Sequence, residues 1–191
     1  IDLALVPPSL AAPLKSEPNL TIHQLQTADY RGIMYNFNHP FWQQHRELIK
    51  ALNYAFDRQA MVDSVLLGQG DIAKGPLQKN IYHDDSAEAF NYNPKKAEQL
   101  LEQDGWTKGS DGYYEKNGER LSFELTVSEN QQERLDLATI AAQQLKEIGV
   151  ECIINVTANV DWDNQAAYLI GWGSPFDADD HTYKVFGTNK G

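Results

Sequence analysis

Residues 119–156 read "ERLSFELTVSENQQERLDLATIAAQQLKEIGVECIINV", and their hydrophobic period changes twice. Leu121, Phe123, Leu125 and Val127 alternate with Ser122, Glu124 and Thr126, which is the period of a strand. From Gln131 the spacing lengthens, so that Leu137, Ala138, Ala141, Leu145 and Ile148 fall on one stripe of a helix. Gly149 supplies a residue that accepts the left-handed conformation at a helix stop, and "VECIINV" returns to a strand. A strand, a helix and a strand within this length form a crossover between parallel neighbours, in the right-handed sense that such units adopt. That passage sets the class: α/β, a mixed sheet flanked by helices.

The same signals extend outward. Asn117-Gly118 favours a type I′ turn, so "GYYEKNGERLSFELTV" reads as a hairpin leading into the strand. In "NPKKAEQLLEQDGW", Asn93 caps a helix, Pro94 takes the first helical position and Gly105 stops it. Further back, "HRELIKALNYAF" places Leu48, Ile49, Leu52, Ala55 and Phe56 on one face. Asp57 stands as N-cap of "RQAMVDSVLL", which "GQG" ends. Residues before 44 read as short strands, "IDLALV", "NLTIHQL" and "GIMYNFN", with "PPSLAAPLKSEP" as a loop. "AAYLIGW" is the last strand.

Composition narrows the function. There are 27 acidic against 16 basic residues, a net charge of −11, which speaks against nucleic acid and against an anionic membrane surface. The single cysteine, Cys152, lies in an apolar run and reads as a small buried hydrophobe. No nucleophile elbow, reactive-cysteine signature or phosphate loop is present, so no enzyme and no cofactor is expected. No stretch approaches the ~20 apolar residues of a membrane span.

Four motifs in order carry a resemblance. "YNFNHPFWQQHRELIKALNYAFDRQAMVDSVLLGQG", "YNPKKAEQLLEQDGW", "DGYYEKNGERLSFELTV" followed by "LATIAAQQLKEIGVECII", and "YLIGWGSPFDADDHTY" resemble segments of the peptide- and nickel-type solute-binding proteins of ABC importers. The resemblance implies a periplasmic-binding-protein-like lobe (type II), residues 1–191 forming the second lobe of a two-lobed receptor whose first lobe lies outside the chain. "IDLALV" would be the end of that first lobe. It implies capture of a peptide or nickel complex outside the cytoplasmic membrane, in the periplasm or at the cell surface as a lipoprotein. Delivery would be to ABC permease subunits, with the receptor a monomer. A peptide-sensing or adhesion receptor of the same fold is the alternative.

The expected ligand site follows the last strand, because ligands of open α/β sheets gather beyond strand ends. Trp172 would offer a flat apolar wall, Gly173 and Gly171 a close backbone approach, and Ser174 a polar contact. Asp177 would pair with a ligand ammonium, the role that an aspartate three residues after the tryptophan has in relatives; here that position is Pro175. Tyr35, Asn36 and Asn38 are secondary candidates. Competing readings stand beside these: Trp172 as plain core, Asp179 and Asp180 as helix caps, and Asp177, Asp179, Asp180 and His181 as metal ligands. "DADDH" lacks the spacing of a calcium loop, and no metal is expected.

Overall fold

The computed structural model describes residues 3–27, 29–75, 77, 81–87, 89–173 and 182–183. In chain order the elements are α1 (Pro8–Leu14), β1 (Tyr30–Tyr35), α2 (Pro40–Gln44), α3 (Leu48–Ala55), α4 (Arg58–Val65) and α5 (Pro94–Gln103). There follow β2 (Thr107–Lys108), β3 (Tyr114–Lys116), β4 (Glu119–Arg120), β5 (Ser122–Ser128), α6 (Gln132–Glu147), β6 (Glu151–Thr157) and β7 (Ala167–Trp172). Two compact units divide the chain: Ile1–Tyr30 with Gln59–Ala87 and Trp172–Gly191, and Arg31–Arg58 with Glu88–Gly171.

The larger unit holds the sheet, in the order β1-β7-β5-β6. β5 and β6 run parallel in an unbroken register from Ser122↔Glu151 to Ser128↔Thr157. β5 and β7 are parallel too, Leu125 facing Ala167. β1 runs the other way: the Asn36 N–H just past its end donates to Ala166 O at the start of β7, while Arg31 at its beginning lies against Gly171 at the end of β7. The expected crossover is therefore present between parallel strands, and the sheet is mixed. β5 is flanked by a strand on each side, and Leu121, Phe123, Leu125, Thr126 and Val127 are all buried.

α6 packs on β5 and β6, and α3 on α5. The helical stripe read from sequence, Leu137, Ala138, Ala141, Leu145 and Ile148, is buried throughout. Both long helices end in the same way. Gly149 (φ +88°) follows α6, its N–H donating to Lys146 O at 2.9 Å while Val150 N–H reaches Leu145 O at 2.9 Å. Gly105 (φ +87°) follows α5, with Gly105 to Glu102 O at 3.0 Å and Trp106 to Leu101 O at 3.0 Å. This paired bonding satisfies the last carbonyls and places an apolar residue over the final turn. Trp106 and Val150 fill those places, and both are buried. Asn93 caps α5 by accepting from Lys96 N–H at 3.0 Å. The Asn117-Gly118 turn joins β3 to β4, both residues at positive φ, with Lys116 facing Glu119.

The smaller unit is less ordered by pattern. Strands were expected in "IDLALV" and "NLTIHQL", yet residues 3–6 and 19–25 form none, because no described strand offers them a ladder. The stretch expected as a loop contains α1 instead: Pro8 sits at its first turn, where a fixed φ helps, and Leu and Ala follow. In the larger unit α2 was also not foreseen; Pro40 starts it and His39 Nδ1 accepts from Phe41 N–H at 3.3 Å. Its Trp42 is fully buried and donates through Nε1 to Ala166 O at 2.8 Å. Cys152 is half-buried rather than enclosed.

Candidate functional site

β5 and β7 point the same way, so their C-terminal ends share one edge of the sheet, and α6 starts from that edge. Three charged side chains of the larger unit meet there. Arg31 donates through Nε to Glu133 Oε1 at 2.9 Å. Arg31 Nη1 lies 2.8 Å, and Arg134 Nη2 3.0 Å, from the point where a Cβ on Gly171 would stand. Only a residue without a side chain lets two guanidinium heads lie against the strand backbone in this way. Arg134 Nε is buried without a hydrogen-bond partner. Its guanidinium is held below the usual arginine range, first by loss of water and then by the positive charge of Arg31, with Glu133 opposing.

Sequence reading passed over this cluster. One signal was available: Glu133 and Arg134 stand in the first turn of α6, where the dipole favours Glu133 but disfavours a cation. An arginine placed against that field calls for a reason other than helix stability.

Of the expected site residues, Trp172 and Gly173 belong to the smaller unit. Trp172 is half-buried and its ring tilts against Tyr30, with centroids 5.5 Å apart. Gly173 is exposed, and a Cβ there would stand 3.4 Å from Asp29 Oδ1. Ser174 and Asp177, with Asp179, Asp180 and His181, lie outside the described residues. Tyr35, Asn36 and Asn38 sit at the far end of β1, beside the start of β7. Five residue steps along β7, from Ala166 to Gly171 (171 − 166), separate that end from Gly171, roughly 16 Å at ~3.3 Å per residue. Tyr35 packs edge-on against Trp42 at 4.6 Å, and burial pushes its phenol well above the ordinary tyrosine value. The Asn36 amide donates to Asp163 O at 2.9 Å and Gln165 O at 3.0 Å, while its Oδ1 accepts from Asn38 N–H. Asn36 thus ties the loop entering β7. Asn38 itself is exposed.

Among the described residues no group of three His, Cys, Asp or Glu side chains could hold a metal ion. An open hollow of about 670 Å³ lies along α6 and β6, lined by Asp57, Tyr92, Gln144, Cys152 and Ile154 among others. It does not include the Gly171 edge.

Comparison with known proteins agrees with this architecture. Residues 1–191 match the family described as bacterial extracellular solute-binding proteins, family 5 Middle. The oligopeptide-binding protein AppA of Bacillus subtilis is 36% identical over 151 residues, which are 69% of this chain and 27% of AppA. The nickel-binding periplasmic protein of Escherichia coli is 29% identical over 138 residues, 67% of this chain and 26% of that one. Among solved structures, NikZ of Campylobacter jejuni in complex with Ni(L-His) superposes with a TM-score of 0.87 at 35% identity, covering 97% of this chain and 38% of NikZ. AppA with a bound nonapeptide gives 0.78 at 30% identity, covering 93% and 37%. The chain therefore spans from about a quarter to two-fifths of the length of these relatives. Members of the family are extracellular or periplasmic solute-binding proteins rather than enzymes. With a family match from end to end and a mixed α/β sheet of the same build as NikZ, this chain belongs to the bacterial extracellular solute-binding proteins of family 5.

Proposed function

We propose that residues 1–191 form one α/β lobe of a two-lobed receptor serving an ABC importer, a receptor that captures a peptide or nickel complex outside the cytoplasmic membrane and hands it to the permease. The observation that carries this reading is the 0.87 superposition on a nickel–histidine receptor across 97% of the chain. The relatives argue for transport over peptide sensing, since those named bind oligopeptide or nickel. No helix among the described residues is long and apolar enough to cross a membrane. The receptor would work beside its permease as a monomer. We place the receptor outside the cytoplasmic membrane, free in the periplasm or tethered at the cell surface as a lipoprotein.

In this reading Trp172 is an apolar wall with an N–H donor, Gly173 and Ser174 present backbone and hydroxyl to the solute, and Asp177 takes a ligand ammonium. Tyr35, Asn36 and Asn38, at the other end of β1 and β7, are secondary candidates for contact with the solute. Closure of the first lobe over this rim completes the site. Titration calorimetry on the complete receptor tests the proposal, using nickel with L-histidine and a series of peptides up to nine residues. Saturable binding of either class supports it. Heat-silent titrations with both, on a protein that melts cooperatively, would remove solute capture as its role.

A further inference from the structure

β6 is the terminal strand of the sheet among the described residues. Glu151 N–H donates to Leu121 O at 3.0 Å and Thr157 O accepts from Glu129 N–H at 2.9 Å, so the odd-numbered residues of β6 turn their backbone toward β5. Backbone groups alternate in direction along a strand, which turns those of Cys152, Ile154 and Val156 outward, where no described strand meets them. Edge strands are ordinarily blunted by proline, lysine, a bulge or brevity. β6 has none of these: it is seven residues long, holds an unbroken register with β5, and carries its one charge at its first residue. Ile153 and Val156 stand 52% and 48% exposed, so apolar surface at this edge is left in water. The open hollow of about 670 Å³ runs beside it, within the larger unit. Cys152 and Ile154 line it from β6, Ile140 from α6, and Tyr92 and Tyr113 from loops. A space of that size encloses side chains of a guest.

Charge selects the guest. Asp57, Glu147 and Glu151 line the hollow against Lys146 alone, and the chain as a whole stands at −11. A second copy would bring the same acidic lining to the seam, where like charges oppose pairing. A basic segment meets attraction instead. The edge also lacks a clamp for a chain end, because the guanidinium of Arg120 is engaged by Glu151 and Asp111. A terminal carboxylate gains nothing there, so an uninterrupted stretch of polypeptide fits better than a short free peptide.

We propose that the edge of β6 docks an extended, basic segment internal to a partner protein, which adds to the sheet as a fifth strand. Its backbone pairs with Cys152, Ile154 and Val156. Its alternate apolar side chains enter the hollow beside Ile140 and Ile154, and its lysines or arginines face the acidic lining. The inference does not depend on the solute-capture reading.

Hydrogen exchange on the complete receptor tests this, because the outward amides of Cys152, Ile154 and Val156 interleave with those of Ile153 and Asn155, which face β5. The probe is an acetylated and amidated heptapeptide in which valine alternates with lysine. Its controls replace lysine by glutamate, or leave both ends free. In the receptor alone the outward amides should exchange about ten-fold or more faster than Ile153 and Asn155. The lysine probe, at up to about 1 mM, should slow them about ten-fold and leave Ile153 and Asn155 unchanged. The glutamate probe should bind about ten-fold more weakly. Glu147→Lys, at the exposed end of α6, should weaken the lysine probe about three-fold or more. Ile154→Lys, which sets a charge in the hollow, should abolish its effect; either variant suffices if the other unfolds. Outward amides already as slow as their neighbours in the receptor alone overturn the proposal, since the edge is then covered. No slowing by the lysine probe, equal slowing by the glutamate probe, or full slowing retained in both folded variants overturns it too. Slowing that grows with receptor concentration alone assigns the edge to a second copy, and tighter binding of the free-ended probe assigns it to a solute; each overturns a partner-protein segment.

Discussion

At the scale of single residues, backbone conformation and burial decide what this sequence tolerates. Gly149 and Gly118 both hold positive φ, +88° and +80°, yet their surroundings differ. A Cβ at Gly118 meets open space, whereas at Gly149 it would stand 2.5 Å from Gly112 O, which is backbone and cannot swing aside. Gly118→Ala should therefore cost about 1 kcal/mol, the strain of a left-handed alanine, and Gly149→Ala about 2–4 kcal/mol once the clash is added. Urea unfolding of both variants measures the gap; equal costs would mean that the turn after α6 yields more easily than its contacts suggest. Burial acts on Cys152 through its ionisation. Loss of water pushes the thiol from 9.0 to about 12. A thiol that ionises less readily folded than unfolded adds stability below pH 9 and surrenders it as pH climbs toward 12. The tyrosines Tyr114 and Tyr168, also raised by desolvation, join from about pH 10, the ordinary value for a phenol. Between pH 8 and 9.5 the wild-type unfolding midpoint should fall more steeply than that of Cys152→Ala. Parallel slopes for the two proteins would acquit the thiol.

At the scale of elements, the parts that could be read from sequence are those whose causes are local. α5 is the clearest: Asn93, Pro94 and Gly105 each act within a turn of their own position. Asn93→Ala should lower stability by about 1 kcal/mol by orphaning the Lys96 N–H, and Asn93→Asp should recover most of it. A melting midpoint unmoved by the alanine would show that water replaces the cap. β5, α6 and β6 were legible for a related reason, since an alternation of two giving way to a spacing of 3.6 survives in any context. The first 27 residues were not legible. Leu3 and Leu5 alternate as strand residues do, but a strand exists only by pairing, and pairing partners are not written in the segment itself. α1 went unread because prolines suggested a loop when one of them stood at a helix start. The site divides along the same line. Trp172 could be picked out because glycines bracket it. Arg31 and Arg134 could not: they are 103 positions apart (134 − 31), and it takes both β1 and the start of α6, set against the end of β7, to bring them to Gly171.

At the scale of the whole molecule, the two units handle apolar surface differently. The unit containing β5 encloses Trp42, Trp106, Leu125, Leu145 and Tyr168 at 2% exposure or less. In the other, Leu3 and Leu5 stand 87% and 95% exposed, Leu25 76% and Ile81 89%. Scattered apolar residues on a surface need no explanation, but alternating leucines left almost wholly in water within one short stretch do. Burying each would contribute about 1.5–3 kcal/mol. Relatives extend well past the matched region, since this chain covers only 38% of NikZ. If the lobe is part of a larger receptor, the rest of that receptor supplies the cover, and strand pairing for residues 3–6 and 19–25 would come with it. Hydrogen exchange reads this directly. In the 191-residue chain alone, amides of 3–6 and 19–25 should exchange as an unfolded peptide does, while those of 122–128 in β5 exchange slowest of all. Carried in the complete receptor, the two early segments should gain at least a hundred-fold protection, about what a stable ladder worth 2.7 kcal/mol provides, and β5 should change little. Rapid exchange at 3–6 and 19–25 in both settings would leave those leucines uncovered, and the early segments would then be surface loops of the lobe rather than its seam with another.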